Sequence, residues 1–294
     1  VKAAVVLMAY GSPERLADVP AYYSDIRGGR PIPAELMTDL VERYRRLGIE
    51  NGSPLNAITE ATRAALEREL GDVPVFTGMK HWTPRIAEAA DAAVASGAET
   101  VVGLVLAPHY SSMSIAGYRQ QLEAALDGRA ELAFIESWHD EPGFIDLLAE
   151  RVRGTDAHVV FTAHSLPARI LESGDPYKDQ LLETSQLVAE RAALETWSFS
   201  FQSESQTGEP WLGPDILDHL RELHGKGIRE VLVCPVGFVA DHLEIRWDLD
   251  HEAVEQAEAL GLGFRRIEMP NDDPAFVEVL AGLVRRVLAV PSEA

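Results

Sequence analysis

The chain has 294 residues, 46% hydrophobic and 25% charged, which is the composition of a soluble globular protein long enough for two ordinary domains. Its formal net charge of −21 argues against nucleic acid as a partner, because phosphate contacts require basic patches. The single cysteine, Cys234, excludes an intrachain disulfide, a Cys-rich zinc site and a Cys-ligated iron–sulfur cluster within one chain.

In chain order, apolar strand-like runs at 3–9, 73–76, 100–107, 131–135, 158–163, 197–201, 230–235 and 263–267 alternate with helical patterns. The helical periodicity falls at 34–47, 55–70, 84–96, 114–126, 143–153, 178–193, 215–224, 244–260 and 274–288. Short β-rich runs separated by helices predict an α/β fold with parallel sheets flanked by helices. The run at 3–9 is too short for a signal-peptide core and reads as a first strand. No run approaches the roughly 18 apolar residues of a membrane helix, so the cytoplasm is the expected compartment.

The two halves echo each other. VVLMAYGSP at 5–13 resembles VVFTAHSLP at 159–167, and LVLAPHYSS at 104–112 resembles VLVCPVGFV at 231–239. Two related domains are therefore expected, residues 1–150 and 151–294. In open α/β sheets the ligand lies beyond the carboxyl ends of the strands, where Tyr10, His109, His164 and the 235–244 loop fall.

Three groups of residues can carry chemistry. Glu244, Asp248 and Glu252 stand at i, i+4 and i+8, so one helical face would carry three carboxylates. Such pairs oppose helix formation by about 0.2–0.5 kcal/mol each, and a proton, water or cation in the column would relieve this. A solvated acidic face is the plainer explanation in so acidic a chain, but Trp247 and the apolar run before it argue that this end is partly buried. His164 closes an apolar strand, where an imidazole is placed for proton transfer or for binding a metal. Together His164 and Glu244 form an N/O donor set suited to a borderline ion such as Fe²⁺. Arginines cluster early, at Arg27, Arg30, Arg43, Arg45 and Arg46, and guanidinium forks bind carboxylates bidentately. No dinucleotide or P-loop glycine motif is present, and Ser165 lacks a nucleophile elbow.

Taken together, the segments MAYGSP, YYSDIRGGR, GSPLNAIT, GMKHWTP, VLAPHYSS, ESWHDEP, TAHSLP, GDPYKDQL, FQSESQTGEPWLGPD, PVGFVADHLEIRWDLDHE and EMPNDDP resemble the ferrochelatase family over nearly the whole chain. The branch most similar is that of the coproporphyrin III ferrochelatases of Gram-positive and actinobacterial lineages. The resemblance implies two Rossmann-like domains with a porphyrin-binding cleft between them and Fe²⁺ as a substrate, with no tightly bound cofactor. It implies that His164 and Glu244 bind the metal or its displaced protons, with Tyr10 approaching as an axial ligand from the opposite face. Asp248 and Glu252 would continue outward from Glu244 as an outer column. Arg27, Arg43, Tyr44, Ser53 and Tyr118 match positions at the propionates or porphyrin edge, and Lys80, His81 and Trp211 would line the cleft.

Two departures are visible. Many members carry a further arginine where this chain has Gly28, and the spacing over 49–53 is altered. The relatives that hold a [2Fe–2S] cluster use four cysteines, which one cysteine cannot supply. Expected partners are a porphyrin and, transiently, neighbouring heme-pathway enzymes, with no nucleic acid and no integral membrane segment. Protoporphyrin IX is the alternative substrate, and a non-catalytic tetrapyrrole carrier the alternative class. A carrier needs the cleft and its anchors but not the imidazole and the carboxylate column.

Overall fold

The computed structural model describes residues 2–48, 53–205 and 207–289. Of the altered spacing expected over 49–53, residues 49–52 lie outside the described residues, as does the short polar end of the sequence at 291–294.

The strands are β1 (Ala3–Ala9), β2 (Val75–Met79), β3 (Thr100–Val105), β4 (Glu131–Ile135), β5 (His158–His164), β6 (Trp197–Gln202), β7 (Glu230–Cys234) and β8 (Gly263–Arg266). They form two four-stranded sheets, ordered β2-β1-β3-β4 and β6-β5-β7-β8. Every pairing is parallel. The second order is the first displaced by four strands, so the echo in the sequence is an echo in topology. The central strands read as unbroken apolar runs because helices cover both faces of each sheet. β1 is buried from Ala4 to Ala9 and β5 from Val159 to Ala163.

The helices are α1 (Val19–Ile26), α2 (Ala34–Arg46), α3 (Pro54–Leu70), α4 (Ile86–Ala95), α5 (Ile115–Leu126), α6 (Pro142–Val152), α7 (Tyr177–Ala192), α8 (Ile216–Gly225), α9 (Val254–Leu260) and α10 (Pro274–Ala289). Local chemistry sets several boundaries. Ser53 caps α3 by accepting from the Leu55 N–H at 3.2 Å, with Pro54 in the first turn where no N–H is missed. Asp215 caps α8 in the same way, accepting from Leu217 N at 2.8 Å. α1 has no counterpart among the predicted helices; its eight residues include Pro20 in the first turn and bury only Val19 and Tyr22, which is too little apolar periodicity to detect.

The α-helix expected over 244–260 is corrected. Leu243 and Glu244 are α-helical, Ile245–Ala253 form a π-helix, and α-helix resumes at Val254. Ile245, Leu249 and Ala253 are all fully buried, each one position after a member of the carboxylate series. A strict four-residue repeat over this length outruns the 3.6 residues of an α turn, and wider i→i+5 turns keep it in register.

A single core cluster joins the sheets, containing Leu7 and Val102 of the first and Phe161 and Cys234 of the second. α10 binds the halves further. It buries Phe276, Val277, Leu280, Ala281 and Val284, and its Arg285 pairs with Glu69 on α3 at 2.9 Å. Each large apolar side chain so buried contributes about 1.5–3 kcal/mol.

Candidate active site

Both sheets have their topological switch point at the first of their four strands in sequence. β1 is flanked by β2 and β3, and β5 by β6 and β7, so the loops after these strands diverge and leave a crevice. Tyr10 follows β1. His164 ends β5, and the loop after β7 carries Glu244.

That loop approaches β5 closely. A Cβ on Gly237 would lie 2.4 Å from the Ala163 Cβ, so glycine is what lets the loop pass beside the residue preceding His164. The turn into Glu244 is then fixed from outside. Asn271 accepts from Asp241 N at 2.8 Å and donates to the Asp241 carboxylate at 2.9 Å, while Arg266 bridges Asp241 and Asp250 at 2.9 and 2.6 Å. From within, fully buried Gln202 accepts from Thr162 Oγ1 at 2.9 Å and donates to the Glu244 carbonyl at 3.1 Å.

His164 Nε2 lies 3.5 Å from Glu244 Oε1, and Nδ1 faces the Ser165 carbonyl. Both neighbours are acceptors, so both ring nitrogens carry protons and the resting pair is imidazolium–carboxylate. Burial opposes charge on the ring, yet Glu244, then the Ser165 carbonyl and Asp248, push the His164 pKa up to about 9. Burial likewise opposes ionisation of Glu244, but His164 and then His242 hold its carboxyl well below the usual range. The side chains remain 29% and 36% accessible. Glu244 sits between two imidazoles, since His242 Nε2 lies 3.4 Å from Oε2 and donates from Nδ1 to the Ala240 carbonyl at 2.9 Å.

Asp248 follows Glu244 and receives the Ser203 hydroxyl. Burial, then the charges of Glu244 and Glu252, push its pKa up to about 7. The column thus holds a carboxyl poised to gain or lose a proton near neutrality. Among the described residues, no three His, Cys, Asp or Glu side chains converge to hold a metal ion by themselves.

Tyr10, just after β1, is 42% exposed, its ring centroid 4.6 Å from that of His81. Burial on its inner side and the charge of Glu244 raise the phenol above the usual tyrosine value, so it stays protonated. His81 is held by Asp25 at 2.8 Å, which also pairs with Arg85. Trp211 stands 6.4 Å, centroid to centroid, from His164, its indole N–H donating to Thr207 at 2.8 Å.

The other candidates divide by exposure. Arg27 makes no ion pair among the described residues, and its buried Nε has no partner. Arg43 is engaged by Asp39 at 2.9 Å and lies 5.3 Å over the Trp247 ring. Tyr44, Ser53 and Tyr118 are buried, beneath the surface and not on it. The Lys80 ammonium sits 4.9 Å over the Tyr118 ring and donates to the Ser114 carbonyl at 3.4 Å; burial lowers its pKa. Hollows of about 510 and 620 Å³ lie elsewhere, against α6 and α10 and beside Arg246, and His164 and Glu244 line neither.

Sequence reasoning gave no role to His242, Gln202 or Ser203. His242 carried a signal, standing two residues before Glu244; Gln202 reaches Thr162 through the pairing of β6 with β5, and Ser203, just past β6, reaches Asp248 on the π-helix.

The structure of SirB from Bacillus subtilis with Fe³⁺ superposes with a TM-score of 0.65 at 11% identity, covering 98% of this chain and 96% of that one, and so shares its fold. The family follows from sequence. The ferrochelatase family model matches residues 2–288. A ferrochelatase of Herpetosiphon aurantiacus is 44% identical over 96% of this chain and 98% of its own length. A coproporphyrin III ferrochelatase of Halalkalibacterium halodurans is 39% identical over 98% of each. The chain belongs to the ferrochelatase family and is an enzyme that inserts a metal ion, iron, into a porphyrin. With Cys234 buried and alone, it supplies no ligand set for an iron–sulfur cluster. Among the described residues, no helix is long and apolar enough to cross a membrane.

Proposed function

We propose that the chain inserts Fe²⁺ into coproporphyrin III, with His164 and Glu244 on one face of the macrocycle and Tyr10 on the other. The observation that carries this reading is the His164–Glu244 pair at 3.5 Å, set at the switch point of the second sheet. Metalation exchanges two pyrrole protons for one Fe²⁺. In the resting pair His164 is already protonated and cannot accept. A cation approaching Glu244 would remove the charge that holds that proton, lower the imidazole's basicity and free its lone pair. Arrival of iron and readiness of the base are therefore coupled. Two protein donors bind iron weakly enough to hand it to four pyrrole nitrogens, where a full cage would keep it. Asp248, poised near neutrality, and Glu252 would carry the released protons outward.

Arg27 is the propionate anchor the geometry favours, since its guanidinium makes no ion pair among the described residues. Arg43 would exchange Asp39 for a propionate, and Lys80, His81 and Trp211 would line the cleft. Tyr44, Ser53 and Tyr118 would act from beneath, bracing the residues above them. The two functional halves would divide near residue 150, in a cytoplasmic protein.

Protoporphyrin IX is the competing substrate, because relatives at 44% and 41% identity carry the unspecified name ferrochelatase. Four propionates use more cationic anchors than two. Under anaerobic conditions with Fe²⁺, coproporphyrin III should therefore turn over with the higher kcat/KM, and Arg27→Ala should raise its KM. A higher kcat/KM for protoporphyrin IX, or an unchanged KM in Arg27→Ala, contradicts the assignment.

A further inference from the structure

A polar seam leads from the first sheet to the backbone of His164. The Asp175 carboxylate, 9% exposed, lies at the entrance to α7. Its Oδ2 accepts from Ser111 Oγ at 3.0 Å, from Ser112 N at 2.7 Å and from Ser112 Oγ at 2.7 Å, and its Oδ1 accepts from Tyr177 N at 3.0 Å. Those donors are neutral. Burial opposes the charge, and the hydrogen bonds from Ser112, Tyr177 and Ser111 keep the carboxyl below its ordinary range. Two residues on, the buried Tyr177 hydroxyl donates to the His164 carbonyl at 2.9 Å.

The far end of the seam is the loop between β3 and α5. Ser111 is fully buried, and Met113 N returns to its hydroxyl at 3.1 Å. One residue further, the Ser114 carbonyl receives Lys80, which covers Tyr118. A run of hydrogen bonds and two short stretches of chain thus joins the loop between β3 and α5 to the residue bearing the imidazole. A helix entrance needs one capping acceptor. Here the carboxylate takes three of its four hydrogen bonds from the other half of the molecule, which capping does not require.

We propose that Asp175 and Tyr177 are positioning residues that fix the His164 backbone relative to the loop at 111–114, between β3 and α5. Tyr177 holds the carbonyl of His164, and Asp175 holds Tyr177 to the loop, so ring placement and cleft width are set by the same contacts. This rests on the reading of His164 as the metal- and proton-handling residue.

The test compares Tyr177→Phe and Asp175→Asn, each alone and with His164→Ala. Measured are kcat, porphyrin affinity by fluorescence quenching, thermal midpoint, and the ¹H–¹⁵N signal of the His164 ring at fixed pH. A ring displaced by a fraction of an ångström should lower kcat about tenfold while porphyrin affinity holds within about twofold. On His164→Ala the second substitution should then add less than about twofold, because both act through one group. The His164 ring signal should move in Tyr177→Phe. Equal losses with and without His164, or a kcat that stays at the wild-type value, overturn the proposal. Should His164→Ala itself leave turnover intact, the role of His164 fails; the ring signal still decides the seam, for it moves if Tyr177 positions the residue and is unchanged if it does not. Tyr177→Phe keeps the ring volume and so carries the test if Asp175→Asn does not fold.

Discussion

Gly237→Ala measures how closely the loop bearing Glu244 must pass the strand bearing His164. The added methyl would meet the Ala163 Cβ at 2.4 Å and its Cα at 2.8 Å, inside a sheet where neither atom can swing away. Carbon atoms pack at about 3.5–4.0 Å, so strand and loop must part by roughly 1 Å. Overpacking of this kind costs about 1–3 kcal/mol. For a chain of this size the melting temperature should fall by about 2–4 °C for each kcal/mol. The same displacement widens the His164–Glu244 pair beyond its 3.5 Å, and a 1 Å misplacement at a reacting centre costs on the order of 100-fold in rate. The assay is anaerobic metalation followed through the porphyrin absorption bands, beside a thermal melt. Gly225→Ala is the control: its new methyl meets nothing within 4 Å, so kcat should hold, and at this helical position the melting temperature should hold or rise slightly, not fall. A folded Gly237→Ala protein with wild-type kcat would refute the claim that this approach sets the pair.

Further outcomes follow from the same contacts. Gln202→Met leaves the Thr162 hydroxyl and the Glu244 carbonyl without their partner, so chemical denaturation should show a loss of about 1–3 kcal/mol, with reduced turnover. Burial raises Asp248 to about 7, so the unfolded chain ionises first as pH rises, and stability falls from about pH 4 to pH 7. Asp248→Asn should therefore raise the melting temperature at pH 8 more than at pH 4; an equal change at both would contradict the assignment. Burial, with His139 nearby, lowers His109 to about 3, so below about pH 6.5 the unfolded chain binds a proton that the native state refuses. His109→Gln should flatten the loss of stability between about pH 6.5 and 3, as read by melts across that range.

Much of this architecture is legible before any coordinates. The apolar runs at 3–9 and 158–163 are strands because burial on both faces demands unbroken apolar sequence, and their bounds match β1 and β5 to within a residue; the run at 131–135 matches the edge strand β4. The repeat of MAYGSP in TAHSLP marked the two switch points. His164 and Glu244, 80 positions apart, were joined by their donor chemistry and then by the resemblance, not by spacing, and the fold brings them to 3.5 Å. Less was visible where partners come from other elements. Helical periodicity does not distinguish α from π over nine residues, so the course of 245–253 was misread. Side-chain types also say little about depth. Tyr44 and Tyr118 are as apt for a ligand edge as Tyr10, yet they are buried while Tyr10 is open. The Asp175 seam joins residues more than 60 positions apart through serines, which carry no pattern of their own.

The central claim is that His164, set against Glu244, handles the metal and the proton of the insertion step. Its most direct test is single-turnover metalation of coproporphyrin III by His164→Ala, with porphyrin affinity measured on the same preparation. The account predicts a rate lowered by at least about 100-fold, the scale of a lost general base, with affinity for the porphyrin retained. A wild-type rate, or a loss explained wholly by weaker porphyrin binding, would contradict it.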